Sequence, residues 1–269
     1  MRGLAGVLGT AAYYADSVRR RTVFGNLARI APNVSRAQHR RLARRTFRNL
    51  ATASVDLFRL PSAAPADIAA LFEARGREHL DAALALGKGV IIATAHLSEY
   101  ELGGAWAAAV GYPVHAMVED LEPEVFEALA SYRQATGMGL ISMRQGIRTT
   151  FRLLHEGQVV LLVADRAVGD VRNAVELPFG EGMRPVPTGP AMFAMGTGAP
   201  VIVGHVALNP ARRPRYLVEF EPPLNAEGRG DAERLRLTRV ITERLAAAVQ
   251  DHPDEWYVFQ PQWVSSERD

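Results

Sequence analysis

The chain has 269 residues, 48% of them apolar, with 31 basic against 29 acidic side chains and no cysteine. The length suits one large α/β domain, or such a domain with a helical extension. The lack of cysteine excludes disulfides, thiolate nucleophiles and Cys-ligated zinc, and fits a reducing compartment.

The net charge of +2 hides an asymmetry. Residues 1–50 hold eleven arginines against one acid, Asp16. Such a basic segment on a near-neutral body points to an anionic partner, a membrane surface or nucleic acid. Lys88 is the only lysine, a bias that reads as base composition.

In residues 1–20, Leu4, Val7, Leu8, Ala11, Ala12, Ala15 and Val18 recur at helical spacing and give one apolar face. The uncharged run 3–15 is shorter than the ~20 residues that a bilayer-spanning helix needs. An interfacial helix fits, with its apolar face in lipid and Arg19-Arg20-Arg21 at the headgroups; the alternative is a helix packed on its own domain. Ser35 is placed to cap a long basic helix that runs to about Leu60, anchored by Leu42, Phe47, Leu50, Val55 and Phe58 and ended by Pro61. Residues 65–86 read as a further helix, with Ile68, Leu71, Phe72, Leu80 and Leu84 inward.

The run Val90-Ile91-Ile92-Ala93-Thr94, after Gly87-Lys88-Gly89, reads as a buried parallel strand. It leads to His96, and a helix follows over residues 99–110. Residues 113–118 read as a strand, 122–137 as a helix, 140–143 as a short strand, and the next helix ends at Gly157. A second apolar run, 159–164, stops at Asp165-Arg166. Residues 165–187, rich in Gly and Pro, read as a long irregular loop. Thr188 is expected to cap a helix through Met195. Strands are expected at 200–206 and 215–221, an amphipathic helix at 231–250, and an aromatic closing segment, Trp256-Tyr257-Val258-Phe259 with Trp263, that packs down. The alternation predicts an α/β fold: a mostly parallel central sheet covered by helices on both faces, with a basic helical amino-terminal extension. The organisation expected is residues 1–60 as a membrane-associating helical region and 61–269 as one continuous α/β unit.

A polar residue at the carboxyl end of a buried strand stands where open α/β sheets place their chemistry. His96 has two candidate acids, Glu101 and Asp165. Five residues on a continuous helix rotate by about 500°, so Glu101 meets His96 only if His96 lies outside the helix. The H-x-x-x-x-[DE] spacing also occurs at His115 and Asp120, where a core or rim histidine is the plainer reading. There is no G-x-S-x-G elbow, P-loop or G-x-G-x-x-G, and no second histidine at metal spacing from His96. What remains supports general-base chemistry, in which the imidazole takes a proton from an alcohol, a carboxylate fixes its tautomer, and the alcohol oxygen attacks an activated carbonyl. Backbone N–H groups at the start of helix 99–110 are candidates for holding the oxyanion. Ser98 beside His96 is a weaker nucleophile candidate.

The chain resembles the bacterial membrane acyltransferases that include the late lipid A acyltransferases and the phosphatidylinositol mannoside acyltransferases. The resemblance is carried by Arg19-Arg20-Arg21…Asn26-Leu27, by His96…Glu101-Leu102-Gly103-Gly104, and by Glu119-Asp120-Leu121…Tyr132-Arg133…Gly137. It continues through Ala164-Asp165-Arg166, Leu177-Pro178-Phe179-Gly180, Pro185-Val186-Pro187-Thr188-Gly189-Pro190 and Pro253…Trp256…Gln262-Trp263. It implies transfer of a long fatty acyl group from a thioester donor, acyl-CoA or acyl carrier protein, to a hydroxyl of a glycolipid or lysolipid. The mannoside enzymes are the nearest branch, and no other cofactor or metal is implied. It maps catalytic roles onto His96, Glu101 and Asp165, with Asp165 standing where the mannoside branch has Glu. Substrate contacts are assigned to Arg144, Arg166, Ser98, Glu99 and Thr188. The missing F-P-E-G block argues against lysophosphatidate as acceptor. A shortened amino-terminal anchor implies peripheral attachment at the cytoplasmic face of the inner membrane, with residues 1–60 on its anionic surface and no nucleic acid. The competing readings are a lipid A-type acyltransferase, a non-catalytic anionic-membrane or nucleic-acid binder, and a thioesterase-like hydrolase.

Overall fold

Two strands set the frame of the computed structural model, which describes residues 1–118, 136–143, 146–167, 173–211 and 213–264. β2 (Val90–Thr94) is buried throughout, and β5 (Val159–Val163) at all but its last position. Alternate residues point to opposite faces of a strand, and here each face has its own core. Ile91, Ala93, Val160 and Leu162 enter one cluster; Val90, Ile92, Val159 and Leu161 enter the other. Burial on both faces is why these strands read as unbroken apolar runs. Gly89, at φ 68°, opens β2 where a Cβ would meet Leu154 O at 2.6 Å and Gln158 O at 2.8 Å, so only glycine fits this turn.

Around them lie β1 (Phe72–Arg75), β3 (Val114–Val118), β4 (Gly139–Ser142), β8 (Val201–Leu208) and β9 (Tyr216–Phe220). The seven-stranded order is β1-β9-β8-β2-β5-β3-β4. Every neighbouring pair is parallel except β8 with β9. α5 (Arg77–Leu84) and α6 (Tyr100–Ala109) bury Leu80, Leu102 and Trp106 on one face. α7 (Gly146–His155), α8 (Gly189–Thr197) and α9 (Asp231–Asp251) bury Leu154, Phe193 and Leu245 on the other. The fold is thus α/β, with a mostly parallel sheet covered on both sides.

Several expected elements change. The helix expected over 65–86 is broken into α4 (Pro65–Ala69), β1 and α5. Phe72-Glu73-Ala74-Arg75 has no strong strand propensity, and its pairing with residues 216–219 of β9 makes it a strand. The irregular loop expected over 165–187 contains a hairpin, β6 (Ala174–Pro178) with β7 (Met183–Pro187). Its prolines hid it, since an isolated two-stranded ribbon can carry proline that a central strand cannot. Thr188 occupies the position before α8, but its hydroxyl donates to Asn173 O at 3.0 Å and makes no cap bond. The helix expected over 122–137 falls mostly outside the described residues, as does Asp120 of the second histidine–acid spacing.

The amino-terminal region forms α1 (Arg2–Ala15), α2 (Ser17–Ile30) and α3 (Arg36–Arg59). The break between α1 and α2 is at Asp16, whose carboxylate accepts the Arg19 N–H at 2.9 Å. Ser35 and Gln38 form the capping box of α3. α1 lies on α3 through small residues. A Cβ on Gly9 would meet Phe47 O at 2.5 Å and Ala51 Cβ at 2.7 Å. This docking turns Gly6, Gly9 and Tyr13 inward and leaves Leu4, Val7 and Leu8 60–67% exposed. Phe58, expected as an anchor, is 78% exposed. Asp56 of α3 ties the helices to the sheet: Arg2 and Arg215 pair with it, and the Tyr216 hydroxyl donates to it at 2.7 Å.

Candidate active site

β2 and β5 are parallel neighbours with Thr94 level with Val163. His96 and Asp165 each stand two residues beyond that pair, so equal offsets bring them together at the carboxyl edge. The backbone holds the edge closed, with Ala164 N–H donating to Thr94 O at 2.8 Å. His96 Nδ1 lies 2.7 Å from Asp165 Oδ1. The imidazole is 16% exposed and the carboxylate is sealed at 0%.

A third partner comes from the far end of the chain. Leu97 forms a bridge with Trp256, Ser98 N–H donates to Glu255 O at 2.7 Å, and Tyr257 N–H donates to His96 O at 2.9 Å. This short antiparallel clamp places the Trp256 indole N–H 2.7 Å from Asp165 Oδ2. Both carboxylate oxygens are therefore engaged. Burial opposes the charge on Asp165, but the imidazole, the indole N–H and the Arg184 guanidinium prevail and hold the carboxyl well below its usual range. An ionised Asp165 accepts the Nδ1–H and leaves the Nε2 lone pair outward. The Arg166 guanidinium, 3.4 Å from Nε2, agrees with that tautomer. The Tyr100 ring stands edge-on to the imidazole at 5.3 Å.

Beside the ring opens a cavity of about 460 Å³. Its polar lining includes His96, Glu101, Arg166 and Thr188 around the mouth of the sheet. Its walls are apolar: Met117, Met138, Ile147, Leu161, Met192 and Phe193 among others. A depression of about 480 Å³, lined by Arg2, Phe72, Arg213 and Arg215 among others, shares no residue with it. The His96 cavity joins an oriented base to space for a long apolar group. Among the described residues no group of three or more His, Asp or Glu side chains is gathered that could hold a metal ion.

The residues singled out from sequence fall into three sets. His96, Glu101, Arg166 and Thr188 come together at the cavity, and Asp165 stands behind His96 as the acid on Nδ1. Ser98 and Glu99 are not brought to it. Ser98 is buried at φ 47° in the clamp. The buried Glu99 is raised to about 8 by desolvation, with Asp56 and Glu101 adding to the rise and Arg215 opposing it. Arg144 lies outside the described residues. Trp256 and Arg184 were missed as site residues. Trp256 stands in the sequence as an aromatic of the closing segment and as one of the residues that carry the resemblance, without a role at the site, and nothing in the sequence joins it to Leu97.

The sequence profile described as bacterial lipid A biosynthesis acyltransferase matches residues 1–265. A phosphatidylinositol mannoside acyltransferase of Mycobacterium tuberculosis (strain ATCC 25618 / H37Rv) is 30% identical over 218 residues, covering 78% of this chain and 66% of that protein. The chain thus spans just under two thirds of that relative's length. A phosphatidylinositol mannoside acyltransferase of Mycolicibacterium smegmatis (strain ATCC 700084 / mc(2)155) is 27% identical over 97% of this chain and 85% of that protein.

Proposed function

The chain belongs to the bacterial lipid A biosynthesis acyltransferase family, and from that premise we propose that it transfers a long fatty acyl group from a thioester, acyl-CoA or acyl carrier protein, to a hydroxyl of a membrane glycolipid. A phosphatidylinositol mannoside is the favoured acceptor class, after the two relatives' names. The observation that carries the reading is the single imidazole fixed by a buried carboxylate at the mouth of an apolar cavity.

In the proposed reaction His96 Nε2 takes the proton of the acceptor hydroxyl as its oxygen attacks the thioester carbonyl carbon. Asp165 stabilises the imidazolium that forms. The tetrahedral oxyanion is held by Arg166 or by N–H groups at the start of α6, donors suited to developing negative charge. Its collapse breaks the C–S bond, and the thiolate leaves with the proton held on Nε2. The products are the ester and the free thiol, with His96 neutral again and no covalent enzyme intermediate. The test is His96→Ala, assayed for transfer from a palmitoyl thioester to extracted membrane lipids. Loss of a general base is expected to cost roughly 10²–10⁴-fold. Undiminished transfer overturns the reading, and free fatty acid without acylated lipid reassigns the site to hydrolysis.

The same reading places the protein peripherally on an anionic membrane. Among the described residues no helix is long and apolar enough to cross one. The support is the bare ridge of Leu4, Val7 and Leu8 on an arginine-rich helical region. Replacing Leu4 and Leu8 together by Glu, both exposed, is expected to weaken co-sedimentation with phosphatidylglycerol vesicles by roughly tenfold or more. Unchanged sedimentation removes α1 from the membrane contact.

A further inference from the structure

Arg184 of β7 is fully buried. None of its three guanidinium nitrogens has a hydrogen-bond partner among the described residues. Its Cζ lies instead over three aromatic rings, 4.9 Å from Trp256, 4.9 Å from Trp263 and 5.4 Å from Phe179. Phe179 and Trp256 are stacked on each other at 5.5 Å. The cage is braced from α2: Trp263 donates its indole N–H to Asn26 Oδ1 at 2.7 Å, and Arg29 lies over the Trp263 ring at 5.1 Å.

A methionine or leucine would fill such a space with no charge to desolvate. A buried cation without hydrogen bonds is costly, and ring faces return only part of that cost. What the cation does have is a direction. One ring that it stacks on, Trp256, carries the N–H bound to Asp165. Asp165 is sealed from water, and its hydrogen-bond partners among the described residues are that indole and His96. Desolvation draws the Arg184 guanidinium down to about 10, and Asp165 acts against that fall, so the side chain stays charged at neutral pH.

We propose that Arg184 is a positioning residue for the acyl-transfer site: its caged charge, set behind Trp256, keeps the His96 and Asp165 pair at one shared proton, with Nε2 unprotonated. A cation close to the pair opposes uptake of a second proton, the one that would turn the base into an imidazolium before substrate arrives. Among the described residues, the other charged or titratable groups facing the pair are Arg166 at Nε2, Tyr100 and Glu101 from α6, and, one ring further out, Arg29 from α2. Glu255 and Tyr257 belong to the clamp, and Glu99 follows Ser98 directly.

The proposal rests on the general-base reading of His96, and its test has a readout that needs no activity. The titration midpoint of the pair is followed on the His96 ring signals by ¹H–¹⁵N NMR in the wild type, Arg184→Met and Arg184→Lys. Loss of the cation makes protonation easier, so Arg184→Met is expected to raise the midpoint by roughly one pH unit. The acid limb of acyl transfer moves the same way. Arg184→Lys restores both. An unchanged midpoint in folded Arg184→Met overturns the proposal. So does Arg184→Lys behaving like Arg184→Met, which makes the role one of shape. If Arg184→Met does not fold, Arg184→Gln is read in the same way. Failure of the acyl-transfer reading shows separately, as undiminished transfer by His96→Ala.

Discussion

Two of the histidines that lie against carboxylates, His96 and His205, are built in opposite senses. His96 and Asp165 approach to 2.7 Å, with the imidazole 16% exposed and the carboxylate at 0%. His205 and Glu219 approach to 3.2 Å, with the imidazole side chain 9% exposed and the carboxylate 31% exposed. The second pair sits in mid-strand, His205 of β8 directly across from Glu219 of β9. Glu219 also meets Arg75 at 3.5 Å, and His205 is not among the residues lining the His96 cavity. A carboxylate near an imidazole therefore does not by itself make a base. The carboxylate must be the sealed member, so that it holds one ring nitrogen, and the other nitrogen must open on space for substrate. Placement beyond the ends of two parallel strands supplies both conditions at once; a cross-strand pair inside a sheet supplies neither.

The widest separation between the pairs is expected from amide substitutions. Asp165→Asn keeps the volume but replaces an acceptor with a donor at Nδ1, which drives the ring proton to Nε2 and removes the lone pair. Acyl transfer is expected to fall by roughly 10³–10⁴-fold, as loss of the orienting carboxylate does in other histidine bases. Glu219→Gln should leave transfer within about twofold of wild type. Glu101→Gln, which leaves the Nδ1 partner in place, should cost less than Asp165→Asn. Equal losses for Asp165→Asn and Glu219→Gln erase the distinction drawn between the two pairs.

The sequence made the reactive pair legible because β2 and β5 are buried on both faces, and each apolar run stops at the polar residue that matters. It left open whether Glu101 or Asp165 orients the ring, since that depends on Thr94 lying level with Val163, a register no single strand encodes. β1 was hidden for a similar reason: Phe72-Glu73-Ala74-Arg75 becomes a strand only by pairing with β9. The hairpin that carries Arg184 was masked by Pro178, Pro185 and Pro187. Trp256 acts on Asp165 through a bridge between positions 97 and 256, a contact with no local signature. On α1, periodicity found the apolar residues but not which face would dock. Gly6 and Gly9 decided that by letting α3 approach closely, and the larger Leu4, Val7 and Leu8 were left outside.

The smallest expected effect concerns the other pair and is read in stability. Burial lowers the proton affinity of His205 below its ordinary value of 6.5, against the opposing field of Glu219. A histidine depressed in the folded state binds fewer protons there than in the unfolded chain. Its contribution to stability is therefore present above about pH 6.5 and is lost as pH falls from there through the folded value. His205→Gln removes that titration while keeping a polar side chain opposite Glu219. The melting temperature of the wild type should drop more between pH 7.5 and about pH 5 than that of His205→Gln, with acyl transfer at neutral pH unchanged within about twofold. A steeper acid loss in the variant than in the wild type means that Glu219, not desolvation, governs this histidine. The two pairs would then differ in access to the cavity but not in the charge state that burial imposes on the ring.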